Sequence, residues 1–473
     1  MIVTRTREDT NDARDIIEKY ALPVRGRGAR CHRAGWHLHA LVGAATHDVA
    51  DGIHRPSTAT AAIIAPIDGS GPELTLVALD YCSFQNPDDE RALRQTVRER
   101  TGVTEETFLL TLSHAHSGVN AGSQIVDKPG GDLGAAYRVR LADEITAAVL
   151  EARARLSPTW ITFGWGRCSL AGNRDYWDSE ASRWACGYNP DGLADDTLLV
   201  ARVTADDGTV RATLFNYACH PTTLAWDNHL LSPDYVGAAR EVLERAFGAP
   251  AIFMQGASGD LGPRVGFVGD TAVADRNGRQ LGYAAASAIE AIPPPATTFT
   301  YTSIVSSGAD IGAWAYQPSS EERLRASRRV DAHMQQIAIP IKPLPSAAEL
   351  EARLATATDR AEGERLHRRL NLRHALGETD AHVLPLWFWR LGDAVLVTIP
   401  DEPYAVLQQT LRQTFPETPI FVLGVTNGSL GYLCPSDLYG TGRYQEIQSP
   451  YQPGCLEMTI AAAIQGIRKA LAD

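Results

Sequence analysis

The chain has 473 residues, 44% of them apolar and 21% charged, which exceeds the size of a single hydrophobic core and carries no disorder signature. Forty-four basic against 56 acidic residues leave a net charge of −12, which argues against nucleic acid or an anionic membrane surface as the main partner. The seven cysteines (Cys31, Cys82, Cys168, Cys186, Cys219, Cys434 and Cys455) are irregularly spaced and form no CxxC pair, which speaks against a disulfide framework or zinc knuckle and for a reducing compartment.

The first twenty residues, MIVTRTREDTNDARDIIEKY, are charged and helical in pattern, with no apolar signal segment. No apolar run reaches the ~18 residues of a membrane span, so the reading is a soluble cytoplasmic protein with no integral membrane association. Over 57–125 the pattern is strand, strand, helix, strand. TATAAIIAPI and ELTLVALD flank the turn DGSGP, PDDERALRQTVRERTG is a helix with acids at its start and Gly at its end, and TFLLTL is a buried strand. A strand–helix–strand unit predicts parallel pairing, with Asp80 and the pair His114/His116 emerging together at C-terminal strand ends, where open α/β sheets gather their sites.

A helix follows at about 135–156, then a hairpin around ADDG whose second strand runs into His220, a helix from SPDY, a strand in APAIFMQ, and a helix over 270–291. EAIPPPATT reads as a linker. Residues 319–377 are charged and helical in pattern around the proline-containing IAIPIKPLP, and a helical hairpin insertion is expected there. LWFWRLGDAVLVTIP is a strand pair, PIFVLGVTNG a strand, and LEMTIAAAIQGIRKAL a closing helix. No internal repeat or low-complexity tract is visible. The fold class is α/β: a mixed β-sheet core flanked by helices, in a single domain spanning 1–473.

The candidates for chemistry are strand-end residues. In SHAHSG, His114 and His116 lie two apart, which on an extended chain turns both imidazoles to one side. His220, in NYACHPTT, again follows an apolar strand, and alternation sends its neighbour Cys219 into the core. Two strand-end histidines call for further N, O or S ligands if a metal is bound. In IPDEP, one of Asp401 and Glu402 would be the ligand and the other a helix cap, and composition does not decide which. Each of these residues alone is more often a satisfied loop or capping group. His32, His37 and His39 read as loop residues entering the core, His54 as even between pocket and structure, and His333, His367 and His374 as solvated.

Taken in order, SHAHSG, NRDY, NYACHPTT with SPDYVG, GASGDLGP, IPDEP, and LGYLCP with RYQE resemble the zinc-dependent catalytic domain of the neutral (non-lysosomal) ceramidases, from GRGARC at 26–31 to the C-terminus. The resemblance implies one zinc per chain held by His114, His220, Glu402 and Tyr432. It also implies active-site roles for His116, Arg174 and Tyr444. Zinc on such ligands brings the pKa of water to about 7 and suits hydrolysis of an amide. Arg174 would suit a substrate or product carboxylate.

Three departures stand out. A serine of the family's GDVSPN stretch is Gly262 here, and Ser258 in GASGD does not complete GxSxG. The metal turn is PDEP rather than PGE. Neither the family's C-terminal β-sandwich nor a secretion or membrane signal is expected of this chain. The expected substrate is therefore a small-molecule amide, smaller or more polar than ceramide. The alternatives are a metal-dependent ester or phosphoester hydrolase, with Asp80, Asp234 and Asp260 available for a second ion, or a non-catalytic binding homologue. No GxGxxG after a strand and no P-loop occurs, and neither substrate identity nor oligomeric state is legible.

Overall fold

In the computed structural model, residues 2–5 and 49–472 are described; the expected N-terminal helix, GRGARC, Cys31, His32, His37 and His39 lie outside them. The architecture is one supersecondary unit used three times. The first unit contains strands β1 (Ile2–Arg5), β2 (Ala59–Ile64), β3 (Leu74–Leu79) and β4 (Phe108–Leu112), with helix α1 (Pro87–Thr101) between β3 and β4 and α2 (Gly134–Ala154) after β4. The second has β5 (Trp160–Arg167), β6 (Thr197–Thr204), β7 (Val210–Tyr217), α3 (Asp234–Phe247), β8 (Ala251–Gln255) and α4 (Thr271–Glu290). An antiparallel hairpin, β9 (Thr297–Ser306) with β10 (Asp310–Pro318), and the short α5 (Glu321–Ser327) lead to the third unit.

The third unit has β11 (Val330–Pro340), β12 (Ala381–Leu391), β13 (Ala394–Thr398), α8 (Val406–Thr414), β14 (Ile420–Leu423) and α9 (Cys455–Leu471). Helices α6 (Ala347–Thr356) and α7 (Arg360–Leu376) lie between β11 and β12. In each four-stranded sheet the strands are adjacent in chain order. The first three pair antiparallel and the fourth joins the third in parallel through the intervening helix.

Burial explains why the units assemble. Each sheet packs one face on its own two main helices, giving three separate apolar clusters. The opposite faces meet in a fourth cluster that joins Leu76 and Leu109, Leu214 and Met254, and Trp387 and Phe421 from the three sheets. Strands buried on both faces read as continuous apolar runs, as AAII and FLLTL do. Side chains stitch the units together. The indoles of Trp387 and Trp389 donate to the carbonyls of Glu105 and Glu106 at 3.0 and 2.9 Å, and Asn216 Nδ2 donates to both Met254 O and Val422 O at 2.9 Å. Helix α1 shows how local signals place an element: Asn86 caps it, Pro87 opens it, three acids fill its first turn, and Gly102 ends it at φ 76°.

Two expectations change. No internal repeat is expected from the sequence, but the strand pairing repeats threefold. The helical hairpin expected over 319–377 is confined to α6 and α7, because VDAHMQQIAIP is strand β11 at a sheet edge. Its residues alternate: Val330, Ala332 and Met334 pack on the shared core, and Ile337 and Ile339 on the outer one. His333 is therefore not solvated; it stacks on Phe388 at 4.9 Å between centroids. Among the described residues no helix is long and apolar enough to cross a membrane.

Candidate metal centre

The loops after the third and fourth strands of all three units converge on one point. Cys82 follows β3, His114 and His116 follow β4, His220 follows β7, Ser258 and Gly259 follow β8, Glu402 follows β13, and Tyr432 follows β14. Backbone bonds tie these loops together. His114 N donates to Tyr81 O at 2.9 Å, His220 N to Leu261 O at 3.0 Å, and Glu402 N to Gly431 O at 3.0 Å. Glu402–Pro403 also pairs in parallel with Tyr432–Leu433, so two site residues sit side by side on one short ladder.

The SHAHSG stretch departs from the extended chain expected. His114 lies in the left-handed region, φ 63°, and Ala115–Gly118 turns back with a bond from Gly118 N to Ala115 O. The two imidazoles still meet, Nε2 to Nε2 at 3.4 Å, but a tight turn, not strand alternation, aims them.

The centre is an assembly of acceptors. His114 Nδ1 lies 2.8 Å from Cys82 O and His220 Nδ1 lies 2.7 Å from Ser258 O. A carbonyl only accepts, so both Nδ1 atoms carry the proton and both Nε2 atoms turn a lone pair inward. Those two Nε2 atoms are 3.1 Å apart, and Glu402 Oε2 lies 3.1 Å from that of His220 and 3.4 Å from that of His114. Tyr432 Oη is 3.5 Å from His220 Nε2. Three buried lone pairs at such range repel unless a cation stands among them. Ligands at ~2.0–2.1 Å in a tetrahedron are ~3.3 Å apart, so these spacings fit a coordination shell.

In the chain without a metal a proton takes that place. Against its burial, the Glu402 carboxylate raises the His114 imidazole well above its ordinary value. Burial and Arg174 push His220 down to about 3. Glu402, although buried, is held well below the carboxylate range by His114 and His220. His116 is driven well below the imidazole value by burial and by its two histidine neighbours, and is therefore neutral.

Arg174 is buried behind Tyr432. Its Nε and Nη2 donate to Gly259 O at 3.1 and 2.8 Å, and Nη2 also donates to Tyr432 Oη at 3.0 Å. The guanidinium is thus engaged within the protein, which departs from the expected contact with a substrate carboxylate. Gly259 also lets the Glu402 loop pack close, because a Cβ there would lie 2.8 Å from Glu402 O and 3.0 Å from Pro403 O. Tyr444 sits at the rim, its ring edge-on to that of Tyr432 at 6.0 Å. The centre forms the floor of a cavity of about 420 Å³, lined also by Phe84, Leu344, Arg368, Leu372 and Ile447. Helix α7 contributes Arg368, Arg369 and Leu372 to the cavity lining.

The remaining candidates have other partners. Asp80 receives Arg240 at 3.1 and 2.7 Å, Asp234 receives Leu224 N at 2.9 Å, and Asp260 receives Ala405 N at 2.7 Å. None of the three joins a metal-binding group among the described residues; the one alternative grouping, Cys82 with His114 and His116, needs the same His114. Asp401 is not a helix cap. It accepts from Leu430 N at 2.8 Å and from Tyr451 Oη at 2.6 Å, bracing the Glu402 loop. His54 contacts Ser232 and Asp275, away from the cavity. Cys219 points into the core as expected. Sequence reasoning missed the carbonyls of Cys82 and Ser258, since a backbone acceptor leaves no residue-type signal. It also missed Gly259, although GASGD marks a tight turn.

Neither a protein-family model nor a curated protein matches the sequence. Among solved structures, a ceramidase complexed with C2 matches at TM-score 0.63 and 18% identity, over 92% of this chain and 73% of that one. The neutral ceramidase from Pseudomonas aeruginosa matches at TM-score 0.63 and 17% identity over the same shares. With its three mixed sheets flanked by helices, the chain has the fold of the neutral ceramidases.

Proposed function

We propose that the chain is a zinc-dependent amidohydrolase that cleaves a C–N amide-type bond in a small molecule, smaller or more polar than ceramide. The observation that carries this reading is the convergence of His114 Nε2, His220 Nε2 and Glu402 Oε2 on the cavity floor, with each Nδ1 already committed to a carbonyl. Two imidazoles, a carboxylate and a phenol oxygen suit zinc better than magnesium or calcium. When bound, such an ion supplies Lewis acidity to a carbonyl oxygen and acidifies water. His114, His220, Glu402 and Tyr432 would hold it.

The other residues then have defined work. Neutral His116, 3.4 Å from His114, is placed to take a proton from the attacking water and return it to the departing amine nitrogen, so that amide and water give acid and amine. Tyr444 at the rim can donate to the oxygen on which charge develops. Arg174 is a positioning residue that fixes Tyr432. With Asp80, Asp234 and Asp260 engaged elsewhere, the two-metal phosphoester alternative loses the acids it needs.

Elemental analysis of wild type and His114→Ala, both expressed with zinc, with amine release from an amide panel, tests the proposal. One zinc per wild-type chain, lost with turnover in the variant, is expected. Two metals per chain, or no metal in either protein, would overturn it.

A further inference from the structure

The mouth of the cavity has a charge that the rest of the chain does not. The protein carries −12 overall, yet the cavity lining presents Lys342, Arg368 and Arg369 against one carboxylate, Glu402, which belongs to the floor. Lys342 is satisfied: its Nζ donates to Glu446 O at 2.6 Å and lies 3.4 Å from Glu446 Oε1. Arg368 and Arg369 have no ion-pair or hydrogen-bond partner among the described residues, whereas Arg373 on the same helix donates to Leu344 O, Pro345 O and Gly377 O. Arg368 is half-buried and close enough to Tyr444 to oppose the rise that burial imposes on its phenol. Leu372, one turn on from Arg368 and Arg369, and Leu344 and Ile447 give the same cavity an apolar wall.

Guanidinium groups at the entrance of an apolar pocket suit a planar anion, which they bind through two parallel N–H donors. We infer that the substrate is an amphipathic amide carrying an anionic group, with its amide at the metal floor, its aliphatic part on Leu344, Leu372 and Ile447, and its carboxylate or phosphate on Arg368 and Arg369. This rests on the amidohydrolase reading and specifies its substrate class. In an acidic protein the local positive mouth also concentrates anions that the overall field would repel.

The test compares N-octanoylglycine, N-octanoyl-O-phosphoethanolamine and neutral N-octanoylethanolamine on the zinc-loaded protein. Binding is measured by calorimetry in parallel with amine release. An anionic amide should exceed the neutral one at least tenfold in kcat/KM, and Arg368→Gln with Arg369→Gln should reduce that ratio by tenfold or more, chiefly through KM. The carboxylate and phosphate arms identify which anion is read. Equal or better use of the neutral amide, or a ratio unmoved in the double variant, would overturn the inference. If no amide is hydrolysed, the hydrolase reading fails by itself, while anion binding lost in the double variant would still support the anion site, and its absence would refute it.

A second inference rests on a separate feature. Among the described residues the β9–β10 hairpin is a two-stranded sheet with no further strand on either edge, and Phe299, Tyr301, Ile304, Val305, Ile311, Trp314 and Tyr316 are each 46% to 63% exposed on it. A lone hairpin is marginal in water, and open apolar edges invite pairing. Phe299, Tyr301, Ile304, Trp314 and Tyr316 share one face of the ribbon; with about half of ~200 Å² exposed per large side chain, that face offers ~500 Å², or ~1,000 Å² in total across two copies, the lower bound of a specific interface. Residues 297–318 contain no Lys or Arg, and the tip carries Asp310, so neither an anionic bilayer nor insertion tip-first is favoured.

We propose that this ribbon pairs with the same ribbon of a second copy, across a twofold axis. Sedimentation should show a wild-type dimer that Phe299→Thr with Trp314→Thr converts to monomer. Amide exchange of 297–318 in wild type should slow as concentration rises. A monomeric wild type, a dimer unmoved by the double variant, exchange independent of concentration, or binding of the ribbon to phosphatidylcholine vesicles would each overturn the proposal.

Discussion

Glu402→Gln separates a metal ligand from a buried ion pair, because only the ligand reading makes zinc add stability to wild type that the variant forfeits. The Glu402 side chain is 12% exposed and lies 3.1 Å from His220 Nε2 and 3.4 Å from that of His114. If an ion pair with a protonated His114 is its whole purpose, neutralising the carboxylate strands a buried charge and costs about 3–5 kcal/mol. If the three groups are ligands, the metal-free chain still holds that pair, and the loss in chelator is of the same size. Zinc at a thousandfold over its Kd adds about 4 kcal/mol to wild type, and the variant should forfeit nearly all of it. Urea unfolding of both proteins, with zinc and with EDTA, yields the four numbers. A variant several kcal/mol weaker than wild type in EDTA, with zinc adding nothing to either, would refute the ligand argument and leave a structural ion pair.

Gly259→Ala should weaken zinc binding at least tenfold while the fold persists, since its Cβ would press within 2.8 Å of Glu402 O and 3.0 Å of Pro403 O; unchanged affinity by competition with a chromophoric chelator would count against it. Burial raises the Asp234 carboxyl to about 6 from 3.8. The folded chain therefore takes up a proton before the unfolded chain does, and this group's contribution to stability grows as pH falls from about 7 to 4. Relative to Asp234→Asn, wild type should gain about 2–3 kcal/mol across that window in denaturant titrations; parallel pH curves would show that the side chain does not titrate there. Replacing residues 346–377 with a short Gly-Ser linker should preserve zinc content and sheet structure, because α6 and α7 lie outside the three repeated units. Extending the deletion back to 319 should unfold the third sheet by removing β11, and circular dichroism of the two deletions compares these outcomes.

How much of this was legible in the chain depends on the range of the interaction involved. The strand–helix–strand segment of 57–125 was read correctly because its cues are local: apolar runs, Asn86 and Pro87 at the helix start, and Gly102 at its end. VDAHMQQIAIP misled because charged and small residues at a sheet edge also suit a helix, and only pairing with β12 reveals the strand. Beyond the linker EAIPPPATT, the hairpin of 297–318 drew no assignment, since its apolar residues join no core cluster among the described residues. The threefold repeat could not be seen as residue identities because each unit buries a different set of side chains. His114, His220, Glu402 and Tyr432 were named through the resemblance, and the structure brings all four together. The fixing of their ring orientations by Cys82 O and Ser258 O was invisible, since backbone carbonyls have no letter in a sequence.

The repeat also bears on how such a centre is assembled. The first unit supplies His114 and His116, the second His220 and Arg174, and the third Glu402 and Tyr432, so no unit alone holds more than part of a ligand set. The faces that bring the three loops together are those that form the shared core around Leu109, Met254 and Phe421. Docking of the three sheets and closure of the metal site are therefore one event, and a cation bound at the junction stabilises the docked arrangement by its full binding free energy. A substitution deep in that shared core, such as Phe421→Ala, creates a cavity costing about 3–5 kcal/mol and should weaken zinc binding with no contact to any ligand. The same substitution at Phe108, in the outer core of the first unit, should lower stability without that loss of affinity. Equal effects on zinc from both positions would mean that the site is held together locally by its loops, and not by the packing of the three sheets.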